Sequence, residues 1–298
     1  MRIMRWKWAY IGLSVLVLFF SVLGLALHGL RLSVDFKGGS LLEFRFPVET
    51  DVPGKDAFQS ELGESWHLAT AQQSDEQSVI IKGDTLEQTQ QVEVFARLNQ
   101  AYPGIELLRA ESVGAIISRE LLIKTVTALF LVTAFIMLYI WRQFSELRFG
   151  VSAVLAMLHD SLVLLGAFSW LGYFANVEVD VLFVTALLTT LSFSVHDTIV
   201  VFDRIRELRN KNRTVVFETV VEGAVLETLS RSINNSITII VMLTALSLLG
   251  GETIRWFAVA LLIGAVTGTY SSTFTAVPLL LLWQNLRFRL PKFARKRK

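Results

Sequence analysis

Six stretches of the sequence, near residues 8 to 27, 125 to 141, 149 to 171, 181 to 202, 232 to 251 and 256 to 286, are free or nearly free of charged side chains. A bilayer core takes roughly 20 apolar residues of helix, and each stretch reaches that length or comes within a turn of it. Inside lipid the backbone must satisfy its own hydrogen bonds, so each stretch is predicted as a membrane helix. With 53% hydrophobic residues, 18% charged residues and a mean hydropathy of +0.52, the chain is too apolar for an ordinary soluble domain. A polytopic α-helical membrane protein with six transmembrane helices is the expectation. The opening MRIMRWK is basic enough for a secretory signal, but the apolar run after it is long and no A-x-A site follows, so a retained signal anchor is expected.

Lysine and arginine resist translocation, so their distribution sets orientation. Arg2, Arg5 and Lys7 precede the first helix, Arg142 and Arg148 lie between the second and third, six basic residues fall between Arg204 and Arg231, and seven between Arg287 and Lys298. The segments 172–180 and 250–255 hold one between them, Arg255. Both termini are therefore expected in the cytoplasm. The chain divides into 1–30 (N-terminus and first helix), 31–120 (an outer domain), 121–286 (helices two to six, with a cytoplasmic loop at 204–231) and a basic tail at 287–298.

The outer segment patterns as a small domain. LLEFRF alternates as a strand, KDAFQSELGE suits a helix, WHLATAQ and SVIIK read as strands, LEQTQQVEVFARLNQAY as a helix and IELLRAESV as a strand. That βαββαβ order implies a ferredoxin-like α+β extracytoplasmic domain between helices one and two. Just before it stands VDFKGGS, in which Gly38 and Gly39 permit a tight turn at the domain junction and Asp35 stands near Lys37. A phosphate loop would need more glycines and a helix directly afterwards, so nucleotide binding is not expected.

The apolar helices contain a few polar residues, and in a bilayer these are costly enough to need a task. Thr190, Ser194 and Asp197 recur at helical spacing in the fourth helix, with Thr198 beside them, so they share one face that should point into the bundle. Asp197 lies six residues, roughly 9 Å of helix, before Asp203, within the apolar layer. In the third helix LHDSLV, carrying His159 and Asp160, echoes VHDTIV around His196. Histidine beside carboxylate suits proton relay, with a structural hydrogen bond as the plainer reading. The fifth helix opens RSINNSIT, where Arg231, Asn234, Asn235 and Thr238 repeat at helical spacing. Arg231 is a cationic partner for Asp197 or a residue that snorkels to headgroups; the spacing leaves both open. Ala260, Gly264, Gly268, Ser272 and Ala276 place a small residue at every fourth position of the sixth helix, a row for close helix packing. Phe217, Val220, Val221, Ala224 and Thr228 form a mostly apolar stripe that suggests an interfacial helix.

Some chemistries drop out. With no cysteine there are no disulfides, thiolate sites or cysteine nucleophiles, and four scattered histidines make no metal-ligand cluster. Asp160 and Asp197 lack the G-x-G-D setting of an intramembrane aspartyl protease. No enzyme activity, cofactor or nucleic-acid partner is expected.

Three motifs, VDFKGGSLLEF at 34 to 44, SVHDTIVVFDRIRE at 194 to 207 and GGETIRWFAVALLIGAVTGTYSSTFTAVPLLLLW at 250 to 283, together with ETLSRSINNSIT at 227 to 238, resemble the SecF-like proteins of the SecD/SecF protein-export family, relatives of the resistance-nodulation-division transporters. The resemblance spans both ends and the centre of the chain. It implies a subunit of the bacterial cytoplasmic (inner) membrane that acts with SecD and the SecYEG channel on a translocating preprotein, driven by the proton motive force. It also implies that Asp197 and Arg231 form a proton-sensitive pair and that the outer domain moves. His196 stands where many family members have asparagine. Two other readings compete: a small-molecule or lipid exporter subunit of the same superfamily, and a structural scaffold for a channel in which Asp197 is a packing residue.

Overall fold

The computed structural model describes residues 3–48, 52–63, 66–75, 77–144 and 146–289. The part of the predicted basic tail at 290–298 lies outside the described residues. The chain forms two compact units, one built from residues 32–128 and one from residues 1–31 with 129–298.

The smaller unit starts with one helical turn, α2 (Val34–Lys37), after the first long helix α1 (Lys7–His28). The Ser33 side chain caps this turn by accepting from the Asp35 amide at 3.2 Å. Then follow β1 (Gly39–Arg45), α3 (Lys55–Leu62), β2 (Leu68–Asp75), β3 (Ser78–Gly83), α4 (Gln88–Ala101) and β4 (Glu106–Val113). The sheet order is β2-β3-β1-β4, antiparallel throughout, which is the ferredoxin-like arrangement expected of the pattern. Leu42, Phe44 and Phe46 alternate onto one face, where α3 brings Phe58 and Leu62 and α4 brings Val94 and Leu98. Tyr102 packs its ring near Phe46 and Phe58, and burial first, with Glu61 second, pushes its phenol above the usual range. The double glycine has a steric reason. Gly38 and Gly39 have φ of 82° and 125°, and a Cβ on Gly39 would sit 2.6 Å from the Gly83 carbonyl oxygen.

The larger unit contains α1, α5 (Ala115–Gln143, which starts in the smaller unit), α6 (Leu147–Ala175), α7 (Val181–Lys211), α8 (Phe217–Leu249) and α9 (Glu252–Ser271), then a π turn (Ser272–Ala276) and α10 (Val277–Arg289). Among the described residues, six helical spans are long and apolar enough to cross a membrane: Ile3–His28, Ala115–Gln143, Leu147–Ala175, Val181–Lys211, Phe217–Leu249 and Ile254–Trp283. This is a multi-pass membrane protein. The π turn has a local cause. Pro278 offers no amide hydrogen to the Phe274 carbonyl four residues back, so the α-helical ladder is broken where the turn lies.

Two helices run further than their apolar stretches. α7 continues to Lys211 because Asp203 with Arg206, Arg204 with Glu207 and Glu207 with Lys211 pair along its surface at helical spacing. The stripe from Phe217 to Thr228, read from sequence as an interfacial helix, is instead the start of α8, which continues unbroken to Leu249. That stripe is buried in the bundle, where Val221, Ala224 and Val225 are fully enclosed and Arg148 and Arg209 lie over the Phe217 ring. Its apolar face is satisfied by protein, which removes the reason to lie in a membrane surface.

Candidate functional site

The central site lies where α7, α8 and α9 meet. The residues of the α7 polar face point inward as their spacing requires: Thr190, Ser194 and Thr198 are buried. Thr190 and Thr198 satisfy their hydroxyls within the helix, donating to the Leu187 carbonyl at 2.8 Å and the Ser194 carbonyl at 2.9 Å. The Ser194 hydroxyl is buried without a partner among the described residues. α9 approaches this face through its small residues. A Cβ on Gly264 would overlap the Thr190 side chain, and one on Gly268 would stand 3.4 Å from the Ser194 Cα. Only glycine lets the two backbones come this near at Gly264.

One turn further along α7, Asp197 is half-buried and accepts a hydrogen bond from Ser232 Oγ of α8 at 2.9 Å. Beside the carboxylate is a cavity of about 30 Å³ lined by Phe193, His196, Asn235, Ser236, Ile239, Ala265, Gly268 and Thr269, with room for water. His196 is exposed at the rim of this cavity. Thr269 of α9 donates to Ser236 of α8 at 2.6 Å and so ties two of the cavity walls together.

Arg231 is the residue just before Ser232, yet no ion pair joins it to Asp197 among the described residues. Its side chain is exposed and lines an open cleft of about 780 Å³ with Gln143, Val200, Asp203, Arg204, Arg206, Glu207, Asn210, Glu227 and Thr228. Most charges around this cleft are already matched. Arg204 bonds Glu207 and Glu227, and Arg206 bonds Asp203 at 3.1 Å and the Gln143 carbonyl at 3.3 Å. Asp197 and Arg231 thus occupy adjacent levels of one polar seam, with Ser232 on the carboxylate and the guanidinium in the cleft.

His159 and Asp160 are placed elsewhere. Both are 4% exposed, and His159 Nδ1 lies 2.9 Å from Asp160 Oδ1. Ser271 of α9 donates to Asp160 Oδ2 at 2.5 Å. Ser272, the first residue of the π turn, is buried and donates to the Thr269 carbonyl at 3.0 Å. Asp35, Gly38 and Gly39 belong to the smaller unit and take part in its capped turn, as described above.

Ser232 and Ser271, which bond to Asp197 and Asp160, carry no sequence signal of their own. A serine in an apolar helix is ordinary, and the spacing within RSINNSIT selects Arg231, Asn234, Asn235 and Thr238. Of these, Arg231 lines the open cleft and Asn235 the cavity beside Asp197, while Thr238 donates to the Asn234 carbonyl of its own helix at 3.1 Å.

Residues 93–286 match the family described as protein export membrane protein SecD/SecF, C-terminal, and residues 24–46 match the SecD/SecF GG motif. A protein translocase subunit SecF of Thermobaculum terrenum is 40% identical over 300 residues, covering 96% of this chain and 95% of that protein. The protein of the same name from Anaerolinea thermophila is 34% identical over 97% of this chain and 96% of its own length. Among solved structures, the crystal structure of SecDF from Thermus thermophilus, titled a translocon-associated membrane protein, superposes with a TM-score of 0.83 at 28% identity. The match covers 96% of this chain but 39% of the SecDF chain.

Proposed function

The chain belongs to the SecD/SecF family of protein export membrane proteins, and on that premise we propose that it works as the SecF-like subunit of a Sec translocation assembly in a bacterial cytoplasmic membrane. The SecDF chain it superposes on is more than twice as long, and SecD is the partner that this reading assigns. Helices α5 and α8 have surface to receive it. The most apolar window of α5 is 0% buried and that of α8 is 11% buried, against 56% for α6, which leaves their apolar faces to lipid or to SecD helices. A SecYEG channel and the emerging preprotein complete the set of partners. The basic segments at 1–7, 204–231 and 287–298 put both termini in the cytoplasm.

Asp197 carries the energy coupling. The observation that supports this is its setting: a half-buried carboxylate on an inward helix face, bonded by the Ser232 hydroxyl, beside a cavity with room for water and one residue level from an arginine in an open cleft. The charge state of such a group follows the position of its neighbours. With Asp197 ionised, Arg231 swings from the cleft toward it; when a proton arrives, the attraction ends and Ser232 holds the carboxyl alone. Each proton that crosses a potential of 100 mV releases about 2.3 kcal/mol, enough to bias a two-state movement of helices appreciably. The turn at Asp35, Gly38 and Gly39 and the start of α5 are the covalent links through which such a movement reaches the outer domain.

The test is export of a secreted precursor in cells that lack their own SecF and receive this chain with its SecD. Wild type should clear the precursor, and Asp197→Asn, present in the membrane at equal amount, should leave it accumulated. Equal clearance by both would make Asp197 a packing residue and the chain a scaffold.

A further inference from the structure

Asp160 is a buried carboxylate in the apolar part of α6, and the coupling scheme built on Asp197 makes no use of it. Its two oxygens are engaged, one by His159 Nδ1 at 2.9 Å and one by the Ser271 hydroxyl at 2.5 Å. The remaining ring atom, His159 Nε2, is buried and has no partner among the described residues. Buried polar atoms are nearly always paired, so an open ring nitrogen beside a carboxylate calls for an explanation, and a proton is one that its chemistry can take. Nδ1 and Oδ1 share one hydrogen. If the imidazole donates it, Nε2 is a bare lone pair that accepts one further proton. Proton uptake from hydronium then forms one N–H bond as one O–H bond of the donor breaks, leaving water, and it takes the pair from imidazole with carboxylate to imidazolium with carboxylate. Release reverses the step.

The helix that Asp160 grips is also a wall of the Asp197 cavity. Three successive residues of α9 reach three different helices: Thr269 bonds Ser236 of α8, Tyr270 donates to the Tyr10 carbonyl of α1 at 3.1 Å, and Ser271 bonds Asp160 of α6. Immediately afterwards comes the π turn, a wider piece of helix of the kind that recurs at functional sites. Gly268 and Thr269 line the Asp197 cavity while Ser271 holds Asp160, so both carboxylates bear on the same few residues of backbone. Among the described residues, those whose hydrogen bonds or close contacts bring them to this layer are uncharged: Ser14 of α1, Ser194 of α7, and Tyr270 and Thr275 beside Ser14. Tyr10 and Tyr270 are the titratable groups among the neighbours, and α10 contributes apolar residues such as Leu280.

We infer that His159, Asp160 and Ser271 form a second proton-binding site, with Nε2 of His159 as the exchanging atom, whose occupancy sets the π turn at Ser272–Ala276 and through it the wall of the Asp197 cavity. The coupling part rests on the reading of Asp197 given above, but the site itself does not. Nitrogen-15 magnetic resonance of the histidine-labelled full chain in lipid bilayers tests it, since the chain has four histidines and His159→Asn assigns the signal. Over a pH series the His159 ring is expected to pass from singly to doubly protonated, as proton binding at Nε2 requires. It should still do so in Asp197→Asn, and Asp160→Asn should change the curve. Carbon shifts of Ser272 to Ala276 should move with the same midpoint. A wild-type His159 ring that keeps one protonation state throughout overturns the site, as does a curve that Asp160→Asn leaves unchanged. A titrating ring with an unmoved π turn overturns the link to the Asp197 cavity. Export that survives Asp197→Asn would sink the coupling reading while leaving the His159 result to stand or fall by itself.

Discussion

Adding a single methyl group at Gly264 should force α7 and α9 apart, whereas the same change at Gly268, four residues on, should be tolerated. A Cβ at Gly264 overlaps the Thr190 Cγ2 and lies 2.6 Å from Thr190 Cβ. Carbon atoms rest about 3.5 to 4.0 Å apart, so with the Thr190 side chain held in place the gap must open by about 2 Å at that level. Thr190 cannot easily yield: it is 4% exposed, branched at Cβ, and its hydroxyl is bonded to Leu187 at 2.8 Å. Overpacking of this kind costs about 1 to 3 kcal/mol, roughly a five-fold to hundred-fold change in the folded-to-unfolded ratio. At Gly268 the nearest atom would be 3.4 Å away, close to ordinary contact. Thermal unfolding of the detergent-solubilised chain measures both, and a double-mutant cycle with Thr190→Ala isolates the cause. Removing Cγ2 should recover part of the Gly264→Ala loss, with a coupling of about 0.5 kcal/mol or more. Equal effects at the two glycines, or a coupling of zero, would refute this account of the α7 and α9 contact.

Ser232→Ala removes the hydrogen bond to Asp197 but leaves the carboxylate in place, so precursor export should fall several-fold without ceasing; complete loss would mean that Ser232 itself carries the proton. In the smaller unit, Phe44 is fully buried among Phe95, Phe58 and the α4 side chains, and Phe44→Ala should cost about 3 to 5 kcal/mol. Hydrogen exchange of β1 to β4 in the full chain reads that loss, which should leave protection in α6 and α7 unchanged. Arg204 bonds Glu207 and Glu227 at the surface of the cleft, and Arg204→Gln should leave the unfolding temperature unaltered because water and salt screen such pairs.

Much of the architecture is legible in the sequence because the bilayer demands length and apolarity together, and few other folds supply both. The outer unit is legible for a different reason: LLEFRF alternates, so Leu42, Phe44 and Phe46 can only share a face. Helix ends are not legible where helices leave the apolar layer. α7 runs on to Lys211 through residues whose charge resembles a loop, and the pairing that keeps them helical becomes visible only in three dimensions. The same limit hid the start of α8. Within the site, Asp197 stands out because a carboxylate in an apolar run is costly. Its hydrogen-bond donor does not stand out, since Ser232 costs little wherever it points. The adjacency of His159 and Asp160 is plain in the sequence, but Ser271 lies more than a hundred residues away, and only the packing of α9 on α6 brings it to the carboxylate. The π turn has one local sign, Pro278, which removes a hydrogen bond without saying how the helix will adjust.

The central claim is that Asp197 couples proton movement to export. The most direct measurement follows precursor movement in membrane vesicles that contain the Sec channel, SecD and this chain, while the imposed proton motive force is varied. Wild type should move the precursor faster as the force rises, and Asp197→Asn should give a rate that does not respond to it. A variant that responds with the same slope as wild type would contradict the claim.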